Sequence, residues 1–212
     1  GSERVYYDLG HDSEFDRRLM GWVNSIRERV RSGAHPPGEF VALAHHLHDL
    51  RLFKSAAEGK LMRKAASISA GAHVRAMQAV KPGMMEYQLE EEYIHEFMRH
   101  GSRSPAYPSI VGGGANSCIL HYIENTGKLK AGDLVLVDAG CELEHYASDI
   151  TRTFPVNGTF SKPQQALYEL VLASQYAAIE ATHPDNHWNV PHEQVVNIPV
   201  SYTHLRAHET CG

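Results

Sequence analysis

The sequence predicts an α+β domain in which helices cover an antiparallel sheet. Two long helical patterns come before a group of strand-like segments, and a further helical pattern follows them. The connections between the strand-like segments are short enough for antiparallel pairing, whereas parallel strands need a crossover of about a dozen residues or more. With 212 residues, of which 42% are hydrophobic, the chain can bury a sizeable core.

The N-terminal half is predicted to be mainly helical. After a short strand ending in "VYYDLG", residues 12–31 form an amphipathic pattern, which the Gly/Pro-rich "SGAHPPGEF" interrupts. A long helix is predicted from Ser55 to about Val80, because Ser55 and Glu58 match a capping box and apolar residues then recur at helical spacing. A second helix is predicted from Met85 to His100, with the acidic run at residues 90–92 on its solvated face.

Three strand-like segments follow these helices. They are "CILHYI", "DLVLVDAG" and "HYASDITRTFPV", and another helix is predicted to open at Ser161. The glycine run Gly112–Gly114 lacks the GK[ST] of a phosphate-binding loop and precedes a predicted strand rather than a helix. These glycines are therefore expected to let the backbone approach another group closely.

Charge and composition exclude several partners. The formal net charge of −5 argues against nucleic acid or an anionic membrane surface as the main partner. No apolar run has the length of a membrane span, and the N-terminus does not match a signal peptide. The three cysteines form neither a disulfide framework nor a CxxC site, which favours a reducing, cytoplasmic environment.

Two aspartates lie in strand-like sequence, where a carboxylate is costly to bury. Asp138 follows "LVLV", and Asp149 stands between "YAS" and "ITRTF". Adjacent antiparallel strands would bring them face to face, and a hard divalent cation would offset their repulsion. The alternative is that Asp149 pairs with Arg152 while Asp138 caps the turn at Ala139 and Gly140. Spacing alone leaves both interpretations open.

Longer motifs carry a resemblance to a known family. "CILHYIEN", "GDLVLVDAGCE" and "YASDITRTFPVNGTFS" resemble the metal-binding core of the aminopeptidase P family, and similar order and spacing extend over most of the chain. These enzymes remove an N-terminal residue that precedes proline, and they share the pita-bread fold. The resemblance implies that residues 1–48 are the end of an N-terminal α/β domain and that residues 49–196 are the first half of the pita-bread catalytic domain.

The resemblance also implies roles for single residues. Asp138 and Asp149 match the family's first two metal-ligand aspartates, and Asp138 is expected near the free amine of the peptide. His121 matches a histidine that binds substrate and handles protons, and Tyr146 resembles a tyrosine near the metals. Family members hold two divalent ions, usually Mn²⁺, which activate a water for attack on the scissile carbonyl.

The end of the chain departs from the family pattern. The three remaining metal ligands, a histidine and two glutamates, belong to the second half of the fold, and residues 197–212 carry none of them in a family-like motif. This tail is expected to be a non-family, artefactual segment that resembles translated adaptor sequence. The chain is accordingly expected to be a fragment truncated at both ends and inactive alone.

Three readings of the function follow from the resemblance. The first is a Xaa-Pro aminopeptidase acting on peptides with proline in second position. The alternatives are a prolidase, which cleaves Xaa-Pro dipeptides, and a non-catalytic pita-bread binding module. The resemblance leaves open whether the full-length protein is a homo-oligomer.

Overall fold

The computed structural model describes residues 3–198, in which helices and mostly antiparallel strands occur together, as the sequence predicts. The described residues up to Leu61 form one unit, and those from Met62 onward form a second. Within this described part, no helix is both long and apolar enough to cross a membrane. The tail predicted to be artefactual lies almost wholly outside the described residues.

The first unit contains a parallel pair of strands and two helices. Strand β1 (Arg4–Tyr6) pairs with β2 (Glu39–Val41), which the sequence did not reveal. Helix α1 (Ser13–Arg27) is followed by a 3₁₀ turn at Val30–Ser32, so the predicted single helix over residues 12–31 ends early. Helix α2 spans Leu43–Leu52.

The long helices lie close to their predicted positions. Helix α3 spans Ala56–Ala79, α4 spans Glu86–Arg99 and α5 spans Lys162–Ala181, and residues 190–198 are again helical. The capping box before α3 is confirmed. The Ser55 amide donates to Glu58 Oε2 at 2.6 Å, and the Glu58 amide donates to Ser55 Oγ at 3.3 Å.

The acidic run on α4 is only partly solvated, so that prediction was wrong for two of its three residues. Glu91 is exposed. Glu92 accepts a hydrogen bond from Arg75 Nε at 2.6 Å, and Glu90 accepts one from Asn125 Nδ2 at 2.9 Å. Both carboxylates therefore bind to neighbouring elements, which the local sequence pattern could not show.

Two small antiparallel sheets form the centre of the second unit. One has the strand order β4–β5–β8 and the other β3–β6–β7. The strands are β3 (Ser104–Pro105), β4 (Ile110–Gly113), β5 (Leu134–Ala139), β6 (Cys141–Leu143), β7 (Tyr146–Ala147) and β8 (Ile150–Pro155). The predicted strand "HYASDITRTFPV" is thus two strands, β7 and β8, which belong to different sheets.

Strand β5 has one buried and one partly exposed face. Val135, Val137 and Ala139 are fully buried, whereas the alternate residues Leu134, Leu136 and Asp138 are half-buried. Successive side chains of a strand point to opposite faces, so Asp138 lies on the more open one.

Helix α3 is joined to the strands by buried and partly buried hydrogen bonds. His73 Nε2 lies 2.9 Å from the carbonyl oxygen of Ile150, the first residue of β8. Ser69 Oγ accepts from the Cys141 amide at 3.0 Å. These contacts place α3 as a cover of the sheets, in agreement with the predicted architecture.

The segment "CILHYI" is not a strand, which corrects the prediction. A 3₁₀ helix occupies Gly114–Cys118, and a turn follows at residues 120–121. The side chain of Leu120 is 84% exposed, so the apolar pattern does not reflect burial. His121 has φ of +54°, which is outside the β region and ends any strand there.

The glycine run before this segment behaves as expected. A Cβ added to Gly112 would lie 2.9 Å from backbone atoms of Asn116, in the 3₁₀ helix that follows. The glycine therefore lets the chain fold back closely on itself at the end of β4.

Candidate metal centre

The strand register places the two aspartates on one face of the sheet. Asp138 of β5 pairs with Ile110 of β4 and with Thr151 of β8. Asp149 stands two residues before Thr151, so it lies on the same face as Asp138 and diagonal to it. The chain between the aspartates leaves the sheet as the hairpin β6–β7 and returns. Their proximity is therefore set by the β5–β8 ladder.

A tyrosine hydroxyl joins the two carboxylates. Tyr107 Oη donates to Asp138 Oδ1 at 2.6 Å and lies 3.1 Å from Asp149 Oδ1. Burial raises the pKa of Tyr107, and the hydrogen bond to Asp138 raises it further, so the hydroxyl keeps its proton. This residue was not predicted from the sequence. Its flanking prolines, Pro105 and Pro108, are the one local sign of a rigid segment.

The alternative explanation of the aspartates does not match the structure. Arg152 Nη1 donates to the carbonyl oxygen of Thr151 at 2.8 Å. Among the ion pairs of residues 3–198, none includes Asp149 or Asp138. Asp138 lies inside β5 and does not cap a turn. Within the described part of the chain, the two carboxylates thus share one face without an ion pair to a basic side chain.

His121 lines the same cavity as the aspartates. The cavity has a volume of about 310 Å³ and includes Tyr107, His121, Asp138 and Asp149 in its wall. The imidazole of His121 is exposed on the turn after the 3₁₀ helix. The structure therefore brings together three of the four residues singled out from the sequence.

Tyr146 is the fourth of those residues, and it lies on β7. It pairs there with Leu143 of β6 and is half-buried. It is not part of the cavity wall that carries His121 and the aspartates. Its expected place near the metals stays a prediction.

The two carboxylates are ligands of the type that hard divalent cations prefer. Carboxylate oxygens are hard ligands suited to Mg²⁺ and Mn²⁺, and a carboxylate can bridge two ions. The number of ligands is incomplete, because within residues 3–198 no three His, Cys, Asp or Glu side chains are grouped so that they could hold a metal. Asp138 and Asp149 would therefore be part of a larger ligand set.

Known proteins match this chain closely. The sequence profile of Metallopeptidase family M24 matches residues 60–211, which includes most of the tail predicted to lie outside the family. The Xaa-Pro aminopeptidase of Escherichia coli is 47% identical over 201 residues, which are 95% of this chain and 46% of that protein.

Solved structures agree with this match. The structure of Pseudomonas aeruginosa aminopeptidase PepP has a TM-score of 0.87 and 57% identity, covering 93% of this chain and 45% of that one. A zinc-substituted Escherichia coli aminopeptidase P in complex with product has a TM-score of 0.87 and 43% identity, covering 95% of this chain and 46% of that one. The chain thus spans about half the length of the relatives that it matches.

These matches confirm the predicted resemblance to the aminopeptidase P family. The antiparallel sheets and their covering helices correspond to the pita-bread fold, as predicted. A profile match over most of the chain and structural agreement at high identity point to one group of proteins. The chain belongs to metallopeptidase family M24, and its architecture is that of the aminopeptidase P structures.

Proposed function

We propose that this chain contributes the first carboxylates of the metal site in a Xaa-Pro aminopeptidase. The observation that carries the proposal is that Asp138 and Asp149 lie close together, both in contact with the Tyr107 hydroxyl, with His121 in the wall of the same cavity. The names of the relatives support the reaction, which is release of the N-terminal residue from peptides with proline in second position. Peptides of that kind are the proposed substrates.

The residues have separate roles in this proposal. Asp138 and Asp149 would hold two divalent ions, which we take to be Mn²⁺, and Asp138 would also lie beside the free amine of the substrate. When bound, such ions make water a potent nucleophile near neutral pH and polarise the scissile carbonyl. His121 is exposed to the cavity, so its imidazole can bind the peptide and exchange a proton with it. Tyr146 is assigned a supporting place beside the metals.

The domain assignment is part of the proposal. Residues 1–48 are the end of an N-terminal domain, and residues 49–196 are the first half of the catalytic domain. That residues 197–212 are a tail foreign to the family stays a prediction, which the profile match to residues 60–211 does not favour. The missing histidine and two glutamates then come from a second half that follows residue 196 in a complete enzyme. The unpaired cysteine thiols Cys118 and Cys141 support a cytoplasmic location.

The proposal is tested in a complete enzyme. Residues 60–196 would replace the aligned segment of the Escherichia coli Xaa-Pro aminopeptidase, and the chimaera would be assayed with Mn²⁺ on a peptide with proline in second position. We expect D138N and D149N each to lower kcat/KM by more than about 100-fold, because neutral amides bind hard cations weakly. D185N is the matched control, since Asp185 is exposed and far along the chain.

Two results would count against the proposal. Retention of activity in both D138N and D149N would show that the carboxylates do not hold the catalytic ions. Cleavage of the Xaa-Pro dipeptide alone, without cleavage of longer peptides, would favour prolidase. The 212-residue chain assayed by itself is expected to show no turnover, because two carboxylates do not complete the site.

A further inference from the structure

Glu86 is a buried carboxylate that the proposed chemistry does not use. It is the first residue of α4 and only 1% exposed. Among the described residues, no lysine, arginine or histidine forms an ion pair with it. A buried carboxylate without a cation is costly unless several hydrogen-bond donors satisfy it. The donors that satisfy Glu86 therefore indicate what it does.

Four donors surround this carboxylate, two at each oxygen. Oε1 accepts from the Gly113 amide at 2.8 Å and from Asn116 Nδ2 at 3.0 Å. Oε2 accepts from Tyr122 Oη at 2.8 Å and from the Gly127 amide at 2.6 Å. Burial alone would raise the pKa of Glu86, but these hydrogen bonds outweigh it and hold the pKa below its ordinary value. The carboxylate is thus ionised and fully used as an acceptor.

All four donors belong to one segment, residues 113–127. This segment leaves the end of β4, carries His121 and returns beside the start of α4, where the Glu86 amide donates to the Gly127 carbonyl at 2.9 Å. Asn116 and Tyr122 lie on either side of His121 in the chain. One side chain therefore holds the beginning, the middle and the end of the segment that presents His121 to the cavity.

The conformation of His121 itself needs such support. Its φ of +54° is uncommon for a residue with a side chain, and such conformations persist when the surroundings fix them. The His121 side chain is exposed, so its own burial does not supply that support. The next residue, Tyr122, is buried and donates to Glu86.

The fit around Glu86 leaves no spare room. A Cβ added to Gly127 would lie 2.8 Å from Glu86 Oε1 and 2.7 Å from Asn116 Nδ2. Only a glycine allows this backbone to approach the carboxylate so closely.

We infer that Glu86 is a positioning residue, which fixes the segment 113–127 so that His121 faces Asp138 and Asp149. The task of His121 once it is in place rests on the proposed function, whereas its placement by Glu86 does not. Glu86 acts through hydrogen bonds to other residues and does not line the cavity.

The test uses E86Q in the 212-residue chain. The amide keeps the shape of the side chain but replaces one acceptor oxygen with a donor. In either orientation it faces a backbone amide, of Gly113 or Gly127, which then has no acceptor. We expect the ring signal of His121 in ¹H–¹³C NMR spectra, assigned with H121Q, to shift and broaden. Cleavage by chymotrypsin within residues 119–123 should become about tenfold faster.

Two references separate a local effect from general damage. The ring signal of His73, which is buried between Tyr93 and Ile150, should stay unchanged if the core is intact. E91Q is the matched control, because Glu91 is an exposed residue on the same helix. It should alter neither the His121 signal nor the cleavage rate.

If E86Q abolishes the His73 signal, Y122F is measured instead, because it removes one of the four donors to Glu86, together with an acceptor of Asn116 Nδ2, and keeps the buried ring. It should move the His121 signal in the same direction by a smaller amount. Wild-type His121 signals and cleavage rates in a folded E86Q, or in Y122F where E86Q does not fold, would overturn the inference. Full activity of D138N and D149N in the chimaera would overturn the proposed function, but it would not affect the conclusion that Glu86 positions His121.

Discussion

The two walls of the candidate site are held in place by different means. Asp138 lies within a six-residue backbone ladder between β5 and β8, and Asp149 directly precedes β8. His121 faces them from a segment that, in the described structure, makes no strand pairing around this residue. Its neighbours are fixed instead by the side chains of Glu86 and Asn125.

This difference determines which substitutions should destabilise each wall. A ladder spreads its hydrogen bonds over many residues, so it should tolerate most side-chain changes and fail where two backbones touch. A segment held by two side chains should fail when either side chain loses its acceptors or donors. Three substitutions test this contrast, and they follow in order of decreasing expected effect.

The largest effect is expected at Gly140, where β5 meets the chain before β8. An added Cβ would overlap the carbonyl oxygen of Ser148, next to Asp149. We expect G140A to lower the free energy of unfolding by about 3 kcal/mol or more, because backbone rather than a side chain must move. Urea unfolding followed by circular dichroism measures this.

G71A serves as the control for Gly140. Gly71 lies in α3, and the nearest atom to an added Cβ is Glu96 Oε1 at 3.8 Å. This substitution should stabilise the chain by about 0.5–1 kcal/mol through the higher helix propensity of alanine. Equal stability of G140A and G71A would show that the ladder does not depend on this backbone contact.

A smaller effect is expected at Asn125 in the His121 segment. Asn125 Oδ1 accepts from the Val111 amide at 2.9 Å, while Nδ2 donates to Glu90 and to the Ser109 carbonyl, each at 2.9 Å. N125D replaces both donated bonds with repulsion between oxygens. We expect a loss of about 2 kcal/mol in the free energy of unfolding at pH 7.

The same unfolding measurement on N157D provides the comparison for N125D, because Asn157 is an exposed loop residue. Its change should stay within about 0.5 kcal/mol. If N125D were as stable as N157D, the segment would not depend on its side-chain anchors, and the contrast between the two walls would fail.

The smallest effect is expected on the pH dependence of stability, through His73 of helix α3, which covers the sheets. His73 is buried, accepts from Tyr93 Oη at Nδ1 and donates from Nε2 to the Ile150 carbonyl. Burial lowers the pKa of His73 in the folded chain. Below about pH 6.5 the unfolded chain takes up a proton that the folded chain does not. As the pH is lowered, the free energy of unfolding therefore decreases by at most about 1.4 kcal/mol per pH unit, until the pKa of His73 in the folded chain is reached.

H73Q removes this titration and keeps a donor and an acceptor. Between pH 7.5 and 5.5 its free energy of unfolding should fall less than that of the unaltered chain, with the other histidines contributing equally to both. H95Q, at an exposed position on α4, should keep the full pH dependence. A parallel pH dependence in H73Q would mean that His73 is not held neutral by the fold.

The sheet wall could be predicted from the sequence because its signals are local. The apolar run before Asp138 indicates a buried strand, and Ser55 with Glu58 marks the start of α3. The period of two along a strand then places Asp138 and Asp149 on one face once β5 and β8 are paired. The prediction placed the aspartates on adjacent strands with a short connection and did not include the hairpin β6–β7, which lies between them.

The other wall could not be predicted in the same way. "CILHYI" has the composition of a strand, but Tyr122 is drawn to a carboxylate 36 residues earlier in the chain. Glu86 itself looks like an ordinary first-turn glutamate of α4, which is a common position for an acidic residue. Tyr107 lies 31 residues from Asp138 and carries no motif. Contacts over such distances override local propensity and leave no pattern in a short window.

The hairpin between the aspartates allows their spacing to differ between related sequences. Its tip is the pair Glu144 and His145, both exposed and both with positive φ, which is the geometry of a two-residue turn of type I′. The ladder of β5 and β8 fixes the carboxylates without reference to that tip. Residues inserted at this turn would increase the sequence separation of the two aspartates without changing the positions of their carboxylates. The spacing of eleven positions between Asp138 and Asp149 thus reflects the length of the connecting hairpin, whereas the register of β5 and β8 determines that the two carboxylates lie close together.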